Sequence, residues 1–498
     1  MTYSRPGVYI TERLLPAPIA VSGTANAAGA AFGTFAQGPE TVTLVTSWYD
    51  FVKKFGGYNV TYPATFGVGQ FFQNGGSELY VRRVLHSDAE AADVSIPKAV
   101  SGNIGTITAK NRGADGNNLR VQITGAATSG YFNVTVYKET VAGTGSDVTN
   151  DIVLEQFTNV VFNNSTSSDF APTVIGYSSA YITMAITDTA NAPLGTVLPL
   201  TGGSNGTAAD VDDYTAVLAD FTSVDRPLVL FAPEVFAVLS DGDAEDVHNA
   251  MIEWAETNNG FAVLDTAPDL TVDDATDYAA ALTTTANAAV YYPNIFVQDP
   301  LGRSSQSLRK AGPSAAVAGL YLQTDRQTGP FKAPAGVQAY IRGAVALEKA
   351  FTSAELDDLN SAAKPVNALR NLPGAGVVSM GARTLKQDGT ANRYVNMRRS
   401  LIYIKKQLND LTQFALFENN DEKLWARIRT GLTVFLNDYR NAGGLRGATA
   451  ADAFFVKVDA ENNSADSIAL GEVHIEVGVA LEYPAEFVVI SLSQKTSN

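Results

Sequence analysis

The chain of 498 residues has no cysteine and only three histidines and three tryptophans. The lack of cysteine excludes disulfides, thiolate zinc sites and cysteine nucleophiles, and it fits a reducing compartment. Long apolar runs are also missing. None approaches the ~18 residues that a membrane helix needs, so no membrane insertion is expected. Met1–Ile10 carries neither the basic start nor the apolar core of a secretory signal. Positive charge is scarce, with 35 Lys and Arg against 51 Asp and Glu and a net charge of −16. Such a chain is a poor partner for nucleic acid, whose phosphates demand a cationic surface.

What is present is ample for several cores. Hydrophobic residues make up 45% of the chain, and its length corresponds to about three domains. The 42 Gly, 24 Phe and 20 Tyr favour strands joined by many turns. Charge is segregated along the chain. Residues 205–282 hold seventeen Asp and Glu and one Arg, whereas 303–406 hold sixteen Lys and Arg and six Asp and Glu. The acidic stretch reads either as a solvated face or as one of two complementary patches that meet between neighbouring subunits.

Small residues Ala27–Ala36 predict a buried strand, followed by a strand at Thr41–Thr46. Ser47 caps a helix that ends at Gly56-Gly57, a second helix covers Thr65–Gln73, and Glu78–Leu85 is again a strand. Between about Ala89 and Thr201 helical periodicity disappears, and Leu119–Thr124, Tyr131–Lys138 and Ala180–Thr187 alternate as strands do. From Ala208 the α/β pattern resumes, with helices over Asp210–Phe221, Asp243–Thr257 and Ala275–Thr285 and strands at Leu228–Phe231, Phe261–Asp265 and Ala288–Tyr292. That alternation predicts a largely parallel sheet with helices outside it. Farther on, Val395–Leu411 and Leu424–Tyr439 each carry one apolar helical stripe, and Phe454–Asp459 and Glu472–Ala480 alternate as strands.

Both ends hold an apolar strand with no hairpin partner beside it, Pro6–Glu12 and Glu482–Leu492. Lone strands are marginal in water and need a sheet edge to join, which another molecule can supply. This predicts a building block of an assembly.

Catalytic and ligand motifs fare poorly. Neither His86 nor His248 has a following Ser on a Gly-rich turn, so a serine-protease triad is not expected. His248 is expected to be exposed on its acidic helix. Gly202–Gly206 and Gly113–Asn117 lack the Lys-Ser/Thr of a phosphate loop and read as turns. Asp241-Gly-Asp243 lacks the ladder and terminal Glu of a calcium loop and reads as an acidic helix start. No catalytic residue, metal or cofactor is expected.

Several blocks, in order, resemble the contractile tail sheath proteins of bacteriophages and related injection systems. They include Pro6–Glu12, Phe32–Pro39, Asp50–Gly56, Gly75–Arg83, Pro313–Gly319 with Asp325, Gly329–Ala335, Val366–Arg370, Gly381–Leu385, Tyr394–Leu401, Phe417–Asp421 and Pro484–Phe487. In 89–204 only Gly113–Asn117 matches. The resemblance implies a multidomain α/β plus α+β protein. Its parts would be an N-terminal arm (1–23), a discontinuous subtilisin-like α/β domain (24–88 and 205–345) and an inserted β-rich domain (89–204). A C-terminal α+β sheath domain (346–482) and a C-terminal arm (483–498) would follow. It further implies hexameric rings stacked around a tail tube, contraction, and terminal strands exchanged between subunits. Val8, Tyr9, Ile10, Phe487, Val488, Val489 and Ile490 would be the exchanged residues. Partners would be other copies, the tube protein, and baseplate and terminator proteins, in a virion tail assembled in the host cytoplasm. Arg398, Arg399, Lys405, Lys406, Arg427 and Arg429 are the candidates to face the tube, the other reading being a solvated helix face.

Overall fold

The computed structural model describes residues 27–98, 101–140, 146–304, 306–388 and 391–486. Ala27–Arg399 forms one compact unit, and the described residues from Ser400 on belong to another. The exchanged-strand candidates Val8, Tyr9, Ile10, Phe487, Val488, Val489 and Ile490 lie outside the described residues.

The first unit is built on an eight-stranded sheet in the order Gly376–Ser379, Val366–Leu372, Ala288–Tyr292, Phe261–Leu264, Leu228–Phe231, Ala28–Gly33, Leu79–Arg83, Thr43–Val45. The six inner strands are parallel and the two edge strands antiparallel. Ala28–Gly33, buried along its whole length, sits near the centre. Its small residues let helices approach from both sides: a Cβ on Gly29 would come within 2.6 Å of the Phe71 ring.

On one face pack the acidic helices Val211–Ala216, Asp241–Thr257 and Val272–Ala281, through residues such as Tyr214, Val247, Met251, Ile252, Ala275 and Ala279. Their carboxylates cap their own starts. Asp210 accepts from Asp212 N and Asp213 N, and Thr271 and Asp274 form a capping box. On the other face lie Ala64–Gln73 and Ser314–Gln327, with Phe71 stacked on Phe231 at 5.3 Å. The small residues of Pro313–Gly319 allow these two helices to touch, since a side chain at Gly319 would strike the Phe71 backbone.

The segment 93–199 forms a four-stranded and a three-stranded antiparallel sheet around a core of its own, including Ile107, Val121, Ile123, Val134, Val136 and Phe162. The segment is β-rich but not free of helix. Ala171–Ser178 is a helix, started by Pro172 in its first turn and anchored by Ala171 and Ile175. Two buried positions in eight residues are too few to register as periodicity. The expected division at 345/346 also differs from what is observed. Val366–Leu372 and Gly376–Ser379 continue the large sheet, and the compact unit runs to Arg399.

In the second unit, Tyr439 donates from its hydroxyl to Ser400 Oγ at 3.0 Å and stacks on Tyr403, joining the helix Val395–Thr412, from Ser400 on, to Glu422–Asn441. Phe454–Lys457 pairs antiparallel with Glu476–Val479. That second strand was expected to begin at Glu472. Asn462 and Asn463 instead donate to the His474 carbonyl, and Asn463 accepts from His474 N, so side chains occupy the backbone groups a ladder would use.

Candidate functional site

In a doubly wound sheet, ligands bind outside the carboxyl ends of the strands where the winding direction reverses. Here that point lies between Ala28–Gly33 and Leu228–Phe231. It is filled by the chain's own carboxylate. Glu234 is fully buried just beyond the second of these strands. Its Oε1 accepts from Thr34 N and from the Tyr214 hydroxyl, and its Oε2 accepts from Thr34 Oγ1 and Ala64 N, both at 3.0 Å. Ala64 N opens a helix, where backbone donors and the helix dipole favour an anion. Burial pushes the Glu234 carboxyl up and the four hydrogen bonds pull it down. At the end of the next strand Asp265, also buried, accepts from Ser314 N at 2.6 Å and Ser314 Oγ at 2.5 Å, and burial lifts its pKa to about 7.

A second cluster joins the inserted part to the large sheet. Arg83 is fully buried and donates to carbonyls of Phe35 (3.0 Å), Gly38 (3.3 Å) and Arg112 (2.8 Å) and to Asn205 Oδ1 (3.2 Å). The two glycine-rich stretches meet beside it. Asn117 Nδ2 donates to the Gly203 carbonyl and Gly203 N to Asn117 Oδ1, each at 2.8 Å. Gly113, at φ +117°, leaves room for Arg83 and Asn205, which a Cβ would crowd. Arg112 pairs with Glu40 across the same junction. Neither stretch is the simple turn expected: Gly113 leads into a 3-10 helix, Ala114–Asn118, and Gly202–Gly206 is irregular chain bridged to Glu90 through Ser204; together they clamp the start and end of the β-rich segment.

The third cluster anchors the start of Val395–Thr412. Arg399 is buried and forms a bidentate pair with Asp325, with its guanidinium 4.7 Å above the Tyr321 ring. The Tyr321 hydroxyl in turn meets that of Tyr291 at 2.6 Å. Two of the most distinctive sequence blocks thus converge on one ion pair. Arg398 is half-buried and donates to Asn287 Oδ1 at 2.9 Å.

Of the six tube-facing candidates, Arg398 and Arg399 are therefore engaged inside the first unit. Lys406 is buried in the second and bonded to Asp410 at 2.6 Å. Lys405, Arg427 and Arg429 are exposed. Arg427 lies 4.1 Å over the Phe414 ring, and Arg429 donates to the Val458 carbonyl. Asp421 caps its helix by accepting from Lys423 N and Leu424 N, and Asn420 accepts from Trp425 Nε1. The segregated charges also meet within the protomer in part, since Lys310 bridges Asp269 at 2.7 Å and Glu348 at 2.6 Å.

His248 corrects the sequence reading. It is buried, not exposed, lies against Phe236, and meets the Tyr278 hydroxyl through Nδ1 at 2.5 Å. Burial pulls its pKa down to about 3. The unfolded chain therefore binds a proton there below pH ~6.5 that the folded chain refuses. Stability present above that pH is lost as pH falls toward 3, by about 1.4 kcal/mol per pH unit from this group. His248→Gln is expected to flatten this acid limb in urea unfolding followed from pH 7 to 4. An unchanged limb would place the proton uptake elsewhere. Among the described residues no histidine is hydrogen-bonded to a serine: His86 pairs with Asp88 and His474 with Glu472.

Glu234 and Asp265 escaped the sequence reading because they are two of seventeen acids in one stretch. Their place directly after apolar parallel strands was the available signal.

These features define an α/β protein in which Glu234 fills the point between the two central strands and buried charges fasten distant segments together. Family comparison agrees. The phage tail sheath protein central domain matches residues 207–385 and the phage tail sheath C-terminal domain matches 387–495, together more than half of the chain. The chain belongs to the contractile tail sheath proteins. The tail sheath protein of Vibrio phage KVP40 is 29% identical over 130 residues, 26% of this chain but only 19% of that protein. The chain thus matches under a fifth of that relative's length. The fold is similar to the anti-feeding prophage helical sheath in its contracted state (TM-score 0.61, 22% identity, 99% of this chain and 100% of that one). It is also similar to the sheath tail protein of Listeria innocua (TM-score 0.63, 14% identity, 93% and 96%).

Proposed function

We propose that this sheath subunit polymerises as stacked hexameric rings around an inner tail tube and contracts to drive the tube through a target envelope. The observation that carries the reading is the ordered match of both sheath family domains across residues 207–495. Catalysis has no part in it. The large α/β unit corresponds to the subtilisin-like domain of the resemblance, and 93–199 to its variable insertion. The assembly is a virion tail built in the host cytoplasm, with tube, baseplate and terminator proteins as further partners. A bacteriocin-like or secretion-type injection system is the alternative, and neighbouring cargo genes would mark it. The sequence match to a phage tail sheath favours the tail.

The terminal strands Val8–Ile10 and Phe487–Ile490 are the proposed links between copies. Support comes from the sheet Phe454–Lys457 with Glu476–Val479, which has no third strand among the described residues. An isolated two-stranded sheet gains stability from added strands. Lys405, Arg427 and Arg429 are the remaining proposed tube contacts. The exposed acids Asp212, Asp246, Glu253, Asp273 and Asp277 are available for lateral pairs formed on contraction. A contracted state indifferent to ionic strength would remove that last element.

The test is electron microscopy of purified protein. Full-length chain is expected to form ordered tubes, and deletion of Met1–Glu12 to abolish them while folded monomers persist. Charge reversal at Lys405, Arg427 and Arg429 is expected to leave empty sheaths intact and to end co-sedimentation with tube. Ordered tubes from the truncated chain would refute strand exchange.

A further inference from the structure

At the carboxyl ends of the central strands, beside the Glu234 plug, the first unit holds a cavity of about 230 Å³. It lies among the loops after Leu228–Phe231, Phe261–Leu264 and Ala288–Tyr292, the start of Ala64–Gln73, and the strand Leu308–Ala311. Phe66, Pro233, Val235 and Phe236 give it apolar walls, while Ala237 and Pro268 are exposed at its rim. By volume it exceeds the ~150 Å³ that suffices for benzene in an apolar cavity.

Its polar groups are incompletely used. Thr266 is 1% exposed, and its hydroxyl has no hydrogen-bond partner. Arg309, stacked 3.8 Å over the Phe66 ring and paired with Asp299, leaves its Nε–H unpartnered and buried. Lys310 directs its ammonium to Asp269 and Glu348, which satisfies two of its three donors. The Asp265 carboxyl accepts one hydrogen bond on each oxygen, both from Ser314. Among the residues lining the cavity, the buried polar atoms left without a partner are thus the Thr266 hydroxyl and the Arg309 Nε–H, next to apolar walls and the Lys310 ammonium. An unused buried donor costs free energy that an acceptor from a ligand would recover.

We propose that this cavity binds a small monocarboxylate with an apolar body, of about ten non-hydrogen atoms or fewer. The carboxylate accepts from the Thr266 hydroxyl and Arg309 Nε–H near Lys310, and the apolar body lies against Phe66, Pro233 and Phe236. The site is separate from the contacts proposed for assembly, so its occupancy does not depend on that reading.

Calorimetry with full-length protein tests it, using sodium benzoate as probe at constant ionic strength and benzamide as its uncharged analogue. Saturable binding of one benzoate per chain is expected. Benzamide is expected to bind about tenfold more weakly, because it lacks the charge that meets Arg309 and Lys310. Thr266→Val, which keeps the shape and deletes the hydroxyl, is expected to weaken benzoate roughly tenfold. Thr266→Ser, which keeps the hydroxyl, is the control for a variant that fails to fold and should retain binding. No benzoate binding to the folded protein overturns the proposal. So does equal affinity for benzamide, or equal affinity in a folded Thr266→Val protein.

Discussion

Glu234→Ala is expected to destabilise the first unit by on the order of 5 kcal/mol in urea unfolding. The change strands four donors at once, Thr34 N, Thr34 Oγ1, Ala64 N and the Tyr214 hydroxyl. Each buried donor left unpaired costs about 1–3 kcal/mol, and the two hydroxyls can turn to recover part of it. Glu234→Gln is the sharper experiment because shape is retained. Each carboxylate oxygen accepts from one backbone N–H, Thr34 on Oε1 and Ala64 on Oε2, and neither can reverse its role. A Gln side chain must therefore set an NH₂ against one of them. We expect it to cost at least about 2 kcal/mol. A Gln variant as stable as the parent would mean that packing, and not the carboxylate, holds the crevice shut.

The second large effect is expected at the ion pair that roots the helix Val395–Thr412. Arg399→Ala removes one partner of a bidentate pair and leaves the Asp325 carboxylate without its hydrogen-bonded counter-charge in a site where burial already pushes it up. The cost is about 3–5 kcal/mol. The guanidinium also covers the Tyr321 ring, so packing is lost with the charge. Exchanging both partners for apolar residues, Asp325→Leu with Arg399→Met, is expected to cost less than either single change. A double-mutant cycle by urea unfolding measures this. A pair coupling near zero would reduce Asp325–Arg399 to two independent side chains. Because the pair lies at the end of the first unit, Arg399→Ala should also raise hydrogen exchange at the start of that helix before the sheet is affected.

Much of the architecture was legible. Leu228–Phe231 and Ala288–Tyr292 are observed with the bounds read from the sequence, because uninterrupted apolar runs closed by turn residues leave little alternative. The stripes at Val395–Leu411 and Leu424–Tyr439 are helices for the same reason of period. Other elements depended on partners distant in sequence. Ser314–Gln327 opens with small residues and has little amphipathic character, and its first part, Ser314–Leu322, is buried where Ala64–Gln73 lies against the helix. The strand at Glu476–Val479 was shortened by two asparagines more than ten residues upstream. His248 was read as exposed because its neighbours in sequence are acidic. Its neighbours in space are Phe236 and Tyr278.

By itself the sequence determined the class of the protein. The absence of cysteine, the missing catalytic spacing, the α/β rhythm and the order of the sheath-like blocks are properties of the chain as written, and local patterning is enough to state them. Only the tertiary structure decided which charges are spent inside the subunit. Glu234, Asp265, Arg83, Asp325 and Arg399 look like surface residues in one dimension, yet each is enclosed by elements 20 to 200 positions away. The reason is physical: the energy of a charge depends on what surrounds it in three dimensions, and no window along the chain contains those surroundings.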